Sequence, residues 1–205
     1  MAALDLAAID SATPSHDPFE HVIVPGVISG DRFSAILEDF PKIDKPGSYP
    51  LSQLACGPRF NELLDELQSR PFAERVGAKL GIELTGRPTM ITVRGRCRST
   101  DGQIHADSTG KLVTVLIYLN PSWEASGGQL RLLRNGHDIE DYAAEVPPKE
   151  GTMVAFTCSP NAWHGHQSFE GQRRTIQLNW VNSRGYKVRE QVRHTLSAGL
   201  KKLFG

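Results

Sequence analysis

Leu112-Val-Thr-Val-Leu-Ile-Tyr-Leu119 and Arg173-Arg-Thr-Ile-Gln-Leu-Asn-Trp180 are the stretches whose reading decides the fold. Both alternate with a period of two, so neighbouring side chains leave opposite faces of an extended strand. In the first, Val113, Val115, Ile117 and Leu119 share one face, and Thr114, Leu116 and Tyr118 share the other. In the second, Ile176, Leu178 and Trp180 alternate with Arg173, Thr175, Gln177 and Asn179. Each strand therefore has a greasy face for packing and a more polar face suited to lining a wet pocket between two sheets.

Working outward, the segments 89–94, 129–134 and 152–157 are also short and β-rich, with turn signals at Gly127-Gly128 and Asn135-Gly136. His21-Val-Ile-Val24 is a further strand, closed by Pro25-Gly26. Helices come before this β-rich part. One is capped by Ser29 or Asp31 and runs to about Phe40. A second follows Pro58 with Phe60, Leu63, Leu64 and Leu67 on one face. A third starts near Pro71, buries Phe72, Val76 and Leu80, and ends at Gly81. Residues 1–17 read as a loosely ordered lead-in. Residues 183–205, with Lys187, Arg189, Arg193, Lys201 and Lys202, read as a basic amphipathic helix. Helices first and strands after argue for an α+β fold. The expected organisation is one domain over 1–205: a mainly helical layer at 1–87, a sandwich or jelly roll at 88–182, and a C-terminal helix at 183–205.

The chain has 205 residues, with 39% hydrophobic and 22% charged content, as expected of a soluble globular protein. Lys plus Arg equals Asp plus Glu at 23 each, so net charge argues for neither nucleic acid nor a membrane surface. No apolar run is long enough to span a bilayer. Cys56, Cys97 and Cys158 are odd in number and far apart, which fits free thiols in a reducing compartment. The N-terminus lacks the basic start of a secretory signal, and a cytoplasmic location is expected.

The residues that carry chemistry are scattered. His105 and Asp107 are separated by one residue, so on an extended segment both side chains can reach one ion. The stretch Ala162-Trp163-His164-Gly165-His166 offers two candidates for a third ligand. His164 lies nine residues before Arg173, room for a strand end, a turn at Glu170-Gly171 and a new strand start. That spacing favours His164, with His166 at the pocket edge. Two imidazoles and one carboxylate suit Fe(II) with open coordination positions, and also Mn(II), Co(II) or Zn(II).

In order, spacing and residue type, His105-Ala-Asp107, Val113-Thr-Val-Leu-Ile-Tyr118-Leu-Asn, Gly127-Gly128-Gln-Leu-Arg-Leu, His164 and Arg173-Arg-Thr175 closely resemble the Fe(II)/2-oxoglutarate dioxygenases, most of all their prolyl-hydroxylase branch. The resemblance covers roughly residues 88–182. It implies a double-stranded β-helix (jelly roll) with the N-terminal helices packed on its major sheet. It implies that His105, Asp107 and His164 bind Fe(II), and that Arg173 holds the distal carboxylate of 2-oxoglutarate with help from Tyr118 and Thr175. The planar fork of arginine fits that task. O2 would be the second cosubstrate and ascorbate a stimulant. Tyrosines that oxygen-sensing prolyl hydroxylases often carry are replaced here by Arg94 and Gly102.

The activity implied is hydroxylation of a protein side chain or a small molecule, with succinate and CO2 as coproducts. An aspartate at 107 argues for hydroxylation or desaturation over halogenation. Arg94, Arg96 and Arg98 form a basic cluster just before His105, and one of them is a candidate for an acidic group on the substrate or for the proximal carboxylate of 2-oxoglutarate. The alternative is a non-catalytic metal-binding jelly-roll sensor or binding module. A third reading, a Zn(II) or Mn(II) hydrolase, leaves Arg173 and Tyr118 without a purpose. No nucleic-acid or membrane partner is expected. The substrate and the oligomeric state are left open.

Overall fold

The structure is a computed structural model that describes residues 2–28 and 30–188. Among the described residues it has helices α1 (Leu6–Ser11), α2 (Gly30–Glu38), α3 (Pro58–Leu67) and α4 (Arg70–Leu80). Its strands are β1 (His21–Val24), β2 (Tyr49–Pro50), β3 (Thr89–Cys97), β4 (Lys111–Tyr118), β5 (Leu130–Leu133), β6 (Tyr142–Val146), β7 (Met153–Thr157), β8 (His164–Gly165) and β9 (Gly171–Val181). They form two antiparallel sheets. The larger has the order β1-β7-β4-β9-β3-β2, and the smaller has the order β6-β5-β8.

The period-two reading of β4 and β9 separates two cores. Val113, Val115, Ile117, Ile176, Leu178 and Trp180 join the buried faces of the helices in one. Phe60, Leu63 and Leu67 of α3 and Phe72 and Val76 of α4 are among its members, and Phe72 stacks on Trp180 at 5.9 Å between ring centroids. The opposite face of the large sheet, through Leu116, Tyr118, Val154 and Phe156, meets Leu130, Leu132 and Val146 of the small sheet in the other.

Helix ends follow local chemistry. Ser69 caps α4 by accepting a hydrogen bond from the Phe72 N–H, and Gly81 ends it at φ 66°, where a side chain would be strained. Ser29, one of the two candidate caps of α2, lies outside the described residues.

The reading of 1–17 as loose is corrected. Asp5 caps α1 by accepting from the Ala8 N–H at 3.0 Å, and Ile9 is fully buried. The Glu66 carboxylate accepts the backbone N–H groups of Ala3 and Leu4 at 2.6 and 2.9 Å. Lys79 donates to the carbonyls of Asp10 and Ala12, each at 2.7 Å. Six residues give too few turns for a helical period to be read. At the other end, residues 184–188 are helical, and 189–205, with most of the expected basic helix, lie outside the described residues.

Candidate functional site

The register of the large sheet builds the cavity floor. Thr175 on β9 stands opposite Arg94 on β3 and Tyr118 on β4. Gln177 faces Thr92 and Leu116, and Asn179 faces Met90 and Thr114. Arg94, Thr175, Gln177, Thr92, Thr114 and Leu116 all line one cavity. The opposite wall comes from a pair of backbone hydrogen bonds. His105 N–H donates to the His164 carbonyl at 3.0 Å, and His164 N–H donates to the His105 carbonyl at 2.9 Å. This bridge brings two distant stretches of chain face to face.

Their side chains converge. Ligand atoms of His105, Asp107 and His164 all lie within 4.8 Å of one another. The Nδ1 of His105 contacts the Gln103 carbonyl at 2.8 Å, and that of His164 contacts the Ala162 carbonyl at 2.9 Å. A carbonyl can only accept, so each Nδ1 carries a proton, and a neutral ring in that tautomer has its lone pair on Nε2. Backbone acceptors of this kind orient metal-binding imidazoles. Burial, reinforced by His105, pushes the His164 pKa down to about 4, so the ring is neutral at pH 7 and ready to ligate. Asp107 is nearly buried, which opposes its ionisation, but Lys111, His164 and the hydroxyl of Thr114 outweigh that and lower its pKa. Lys111 Nζ lies 2.6 Å from Asp107 Oδ1.

The far end of the cavity is built to hold an anion. Arg173 is buried, its Nε donating to the Gly128 carbonyl at 2.8 Å and its Nη2 to the Tyr118 hydroxyl at 3.3 Å. Among the described residues no carboxylate pairs with it. The buried Oγ1 of Thr175 has no hydrogen-bond partner. A buried guanidinium without a counter-charge and a buried hydroxyl without a partner are costly unless a ligand completes them. A carboxylate supplies both needs, so the donor set fits a 2-oxo diacid reaching toward the His-Asp-His cluster. Tyr118 is fully buried. Burial raises its pKa, and Arg173 pulls the other way, so it is a neutral phenol. Gly128 sits at φ 85°, and a Cβ there would lie 2.6 Å from Trp123. The Gly127-Gly128 turn thus delivers the carbonyl that orients Arg173.

Of the three clustered arginines only Arg94 lines the cavity. An irregularity in the β3–β9 register falls between Arg94 and Arg96, and Arg96 and Arg98 are exposed. Arg94 is already engaged. Its guanidinium donates to Asp101 Oδ2 at 2.7 Å and to Ser48 Oγ at 3.2 Å. His166 also lines the cavity. Its N–H donates to the Gly102 carbonyl at 2.9 Å, and a Cβ on Gly102 would lie 2.3 Å from its ring. Burial and then Arg173 push the His166 pKa down to about 4.

Lys111, Thr114 and Asn179 around Asp107, and Asp101 beside Arg94, are absent from the expected site. Thr114 and Asn179 could have been found, since both lie on the polar faces that strand parity exposes to the cavity.

With this geometry in view, comparison with known proteins is specific. The family model of the 2OG-Fe(II) oxygenase superfamily matches residues 96–182. Among curated proteins, none matches the chain in sequence. A prolyl 4-hydroxylase from Phytophthora capsici superposes with a TM-score of 0.57 at 16% identity, over 88% of this chain and 63% of that one. A prolyl hydroxylase from Trichoplax adhaerens, solved with a hypoxia inducible factor peptide fragment, gives 0.53 at 16% identity over 96% and 92%. HygX from Streptomyces hygroscopicus, solved with nickel and 2-oxoglutarate, gives 0.54 at 12% identity over 87% and 86%. At such identities the superpositions speak to fold, and it is the fold of the prolyl hydroxylases. The family match covers the segment that carries the cluster and the anion pocket, less than half of the chain, and over that segment the chain is similar to the 2OG-Fe(II) oxygenase superfamily; the His-Asp-His cluster and the pocket around Arg173 fit that superfamily's cofactors, Fe(II), 2-oxoglutarate and O2.

Proposed function

We propose that this chain hydroxylates an unactivated C–H bond, in a protein side chain or a small molecule, on a jelly-roll core covered by its N-terminal helices, and releases succinate and CO2. His105, Asp107 and His164 hold the iron. Arg173, Tyr118 and Thr175 hold the distal carboxylate of 2-oxoglutarate, and Arg94 contributes to the wall beside Thr175. The observation that carries this reading is the buried Arg173, which lacks a carboxylate partner among the described residues, beside the orphaned Thr175 hydroxyl, in the cavity that also holds the His-Asp-His cluster.

When bound, iron with 2-oxoglutarate and O2 supplies the oxidising equivalent for the C–H bond as the oxo acid loses CO2. The protein's own residues bind, orient and exclude water. The two imidazoles present their Nε2 lone pairs without a proton to displace. Asp107 supplies negative charge to a cation. Arg173 would hold a carboxylate of the cosubstrate through charge-assisted hydrogen bonds. The fully buried Tyr118 keeps bulk water from that end.

The test is an anaerobic titration with Fe(II) and then 2-oxoglutarate. A weak absorption band in the middle of the visible range is expected for wild type. R173A should need at least about 100-fold more 2-oxoglutarate to develop it, because the buried anion loses its partner. Metal binding without that band would favour the non-catalytic binding module, and a band unaffected by R173A would overturn the assignment of the anion pocket. A protein side chain is the substrate class favoured, on the prolyl-hydroxylase fold. Succinate release screened against peptide and compound pools separates it from a small molecule.

A further inference from the structure

A line of polar side chains runs across the cavity floor behind Asp107, and its hydrogen bonds have a direction. Gln177 Nε2 donates to Asn179 Oδ1 at 3.1 Å. That contact turns the other end of the Asn179 amide, its Nδ2, toward Thr114, where it donates to Oγ1 at 2.6 Å. Thr114 Oγ1 then lies 2.5 Å from Asp107 Oδ2. An amide nitrogen only donates and an ionised carboxylate only accepts. The single hydroxyl proton of Thr114 must therefore point at Asp107. Thr114 is 1% exposed and Asn179 is 5% exposed, so water does not replace these bonds cheaply.

We propose that Gln177, Asn179 and Thr114 act as a one-way hydrogen-bond relay that fixes the rotamer of Asp107. The relay commits Oδ2 to a protein hydroxyl, and a metal would meet Asp107 through Oδ1 by displacing Lys111, whose Nζ lies 2.6 Å from that oxygen. These are positioning residues. They are not among the candidate metal ligands and act through Asp107. The strand register is what allows the relay. Asn179 is the direct cross-strand neighbour of Thr114, and Gln177 follows Asn179 on the same face of β9. The hydroxyl has one rival, Cys158, whose Sγ lies 3.3 Å from Thr114 Oγ1. That thiol's own proton is directed to Asp107 Oδ2, 3.8 Å from its sulfur, and a thiol sulfur is a weak acceptor.

The inference rests on the reading of Asp107 as a metal ligand, and the experiment separates the two. Co(II) and Mn(II) are titrated into metal-free wild type, D107A, T114V, T114S, N179L and the T114V/N179L double variant, with the Co(II) visible spectrum recorded and thermal melting used to check folding. Wild type should bind, and D107A should lose at least 100-fold. T114V should lose about 10- to 100-fold, the range seen when the outer partner of a metal ligand is removed, with a changed Co(II) spectrum. T114S should restore affinity to within about threefold, because the donor is restored. N179L should lose about three- to tenfold, since the Thr114 proton becomes free to rotate.

The double variant should bind no worse than T114V, because without the hydroxyl Asn179 has nothing to orient. Such non-additivity marks residues acting in series. Equal affinities and spectra for wild type and T114V overturn the relay while the ligand assignment stands, and so do losses that multiply in the double variant. Undiminished binding in D107A overturns the ligand assignment and the relay with it. Should T114V fail to fold, N179L, which keeps Thr114 in place, decides alone: an unchanged affinity overturns the relay.

Discussion

His164 is a buried imidazole and His166 a half-buried one, each with a pKa pushed from 6.5 down to about 4. In the unfolded chain they titrate at the ordinary value. Between pH 6.5 and 4 the unfolded state therefore binds protons that the folded state refuses, and linkage lowers stability as the pH falls. The stability these rings contribute is whole above pH 6.5 and is lost as the pH approaches 4. For His164, almost fully buried, the loss is on the order of 3 kcal/mol. The metal-free protein should melt at progressively lower temperature across that window. H166N, which keeps a donor for the Gln167 carbonyl but has no titratable ring, should flatten part of the slope. A melting temperature independent of pH between 6.5 and 4 would show that the rings are hydrated. Residue type made the three candidate ligands and Arg173 legible in the sequence, because few chemistries need that combination. The partners of Asp107 were not, since a threonine or asparagine on a strand looks the same whether it faces water or a carboxylate.

Two-residue β8 depends on close backbone contact. A Cβ on Gly165 would lie 2.8 Å from the Gly102 carbonyl oxygen and 3.2 Å from the Ile104 Cα, so a side chain there must push apart the segments that carry His105 and His164. G165A should weaken Co(II) binding at least tenfold while lowering the melting temperature by only a few degrees, because β8 contributes little to either core. An unaltered affinity would mean that the segments can separate without cost. The long strands β4 and β9 were legible because each alternates a greasy face with a polar one over about eight residues. β6 was not, since Tyr142-Ala-Ala-Glu-Val146 holds one β-branched residue and no clear alternation. Nor was β8, because two residues have no period at all.

Across the whole molecule the two cores divide the work. The helical side holds Ile9, Phe60, Phe72 and Trp180, and the side between the sheets adjoins the cavity. I9A should cost about 2–5 kcal/mol in urea unfolding, as large-to-small changes in packed cores do, while leaving the 2-oxoglutarate concentration needed for the visible band unchanged. A weaker band would mean that strain passes through the large sheet. The general α+β plan was legible from the order of helices and strands. The anchoring of α1 was not, because its key bonds go from backbone N–H groups to Glu66, far away in the chain. The backbone bridge between His105 and His164 also bears on folding. Strands β5 and β6 of the small sheet lie within the loop it closes and β8 lies at its end, and a divalent ion gripped by the same two residues would clasp roughly sixty residues of chain at a single point. A chelator would then do more than silence the enzyme, for it would loosen β5, β6 and β8 before the helices gave way.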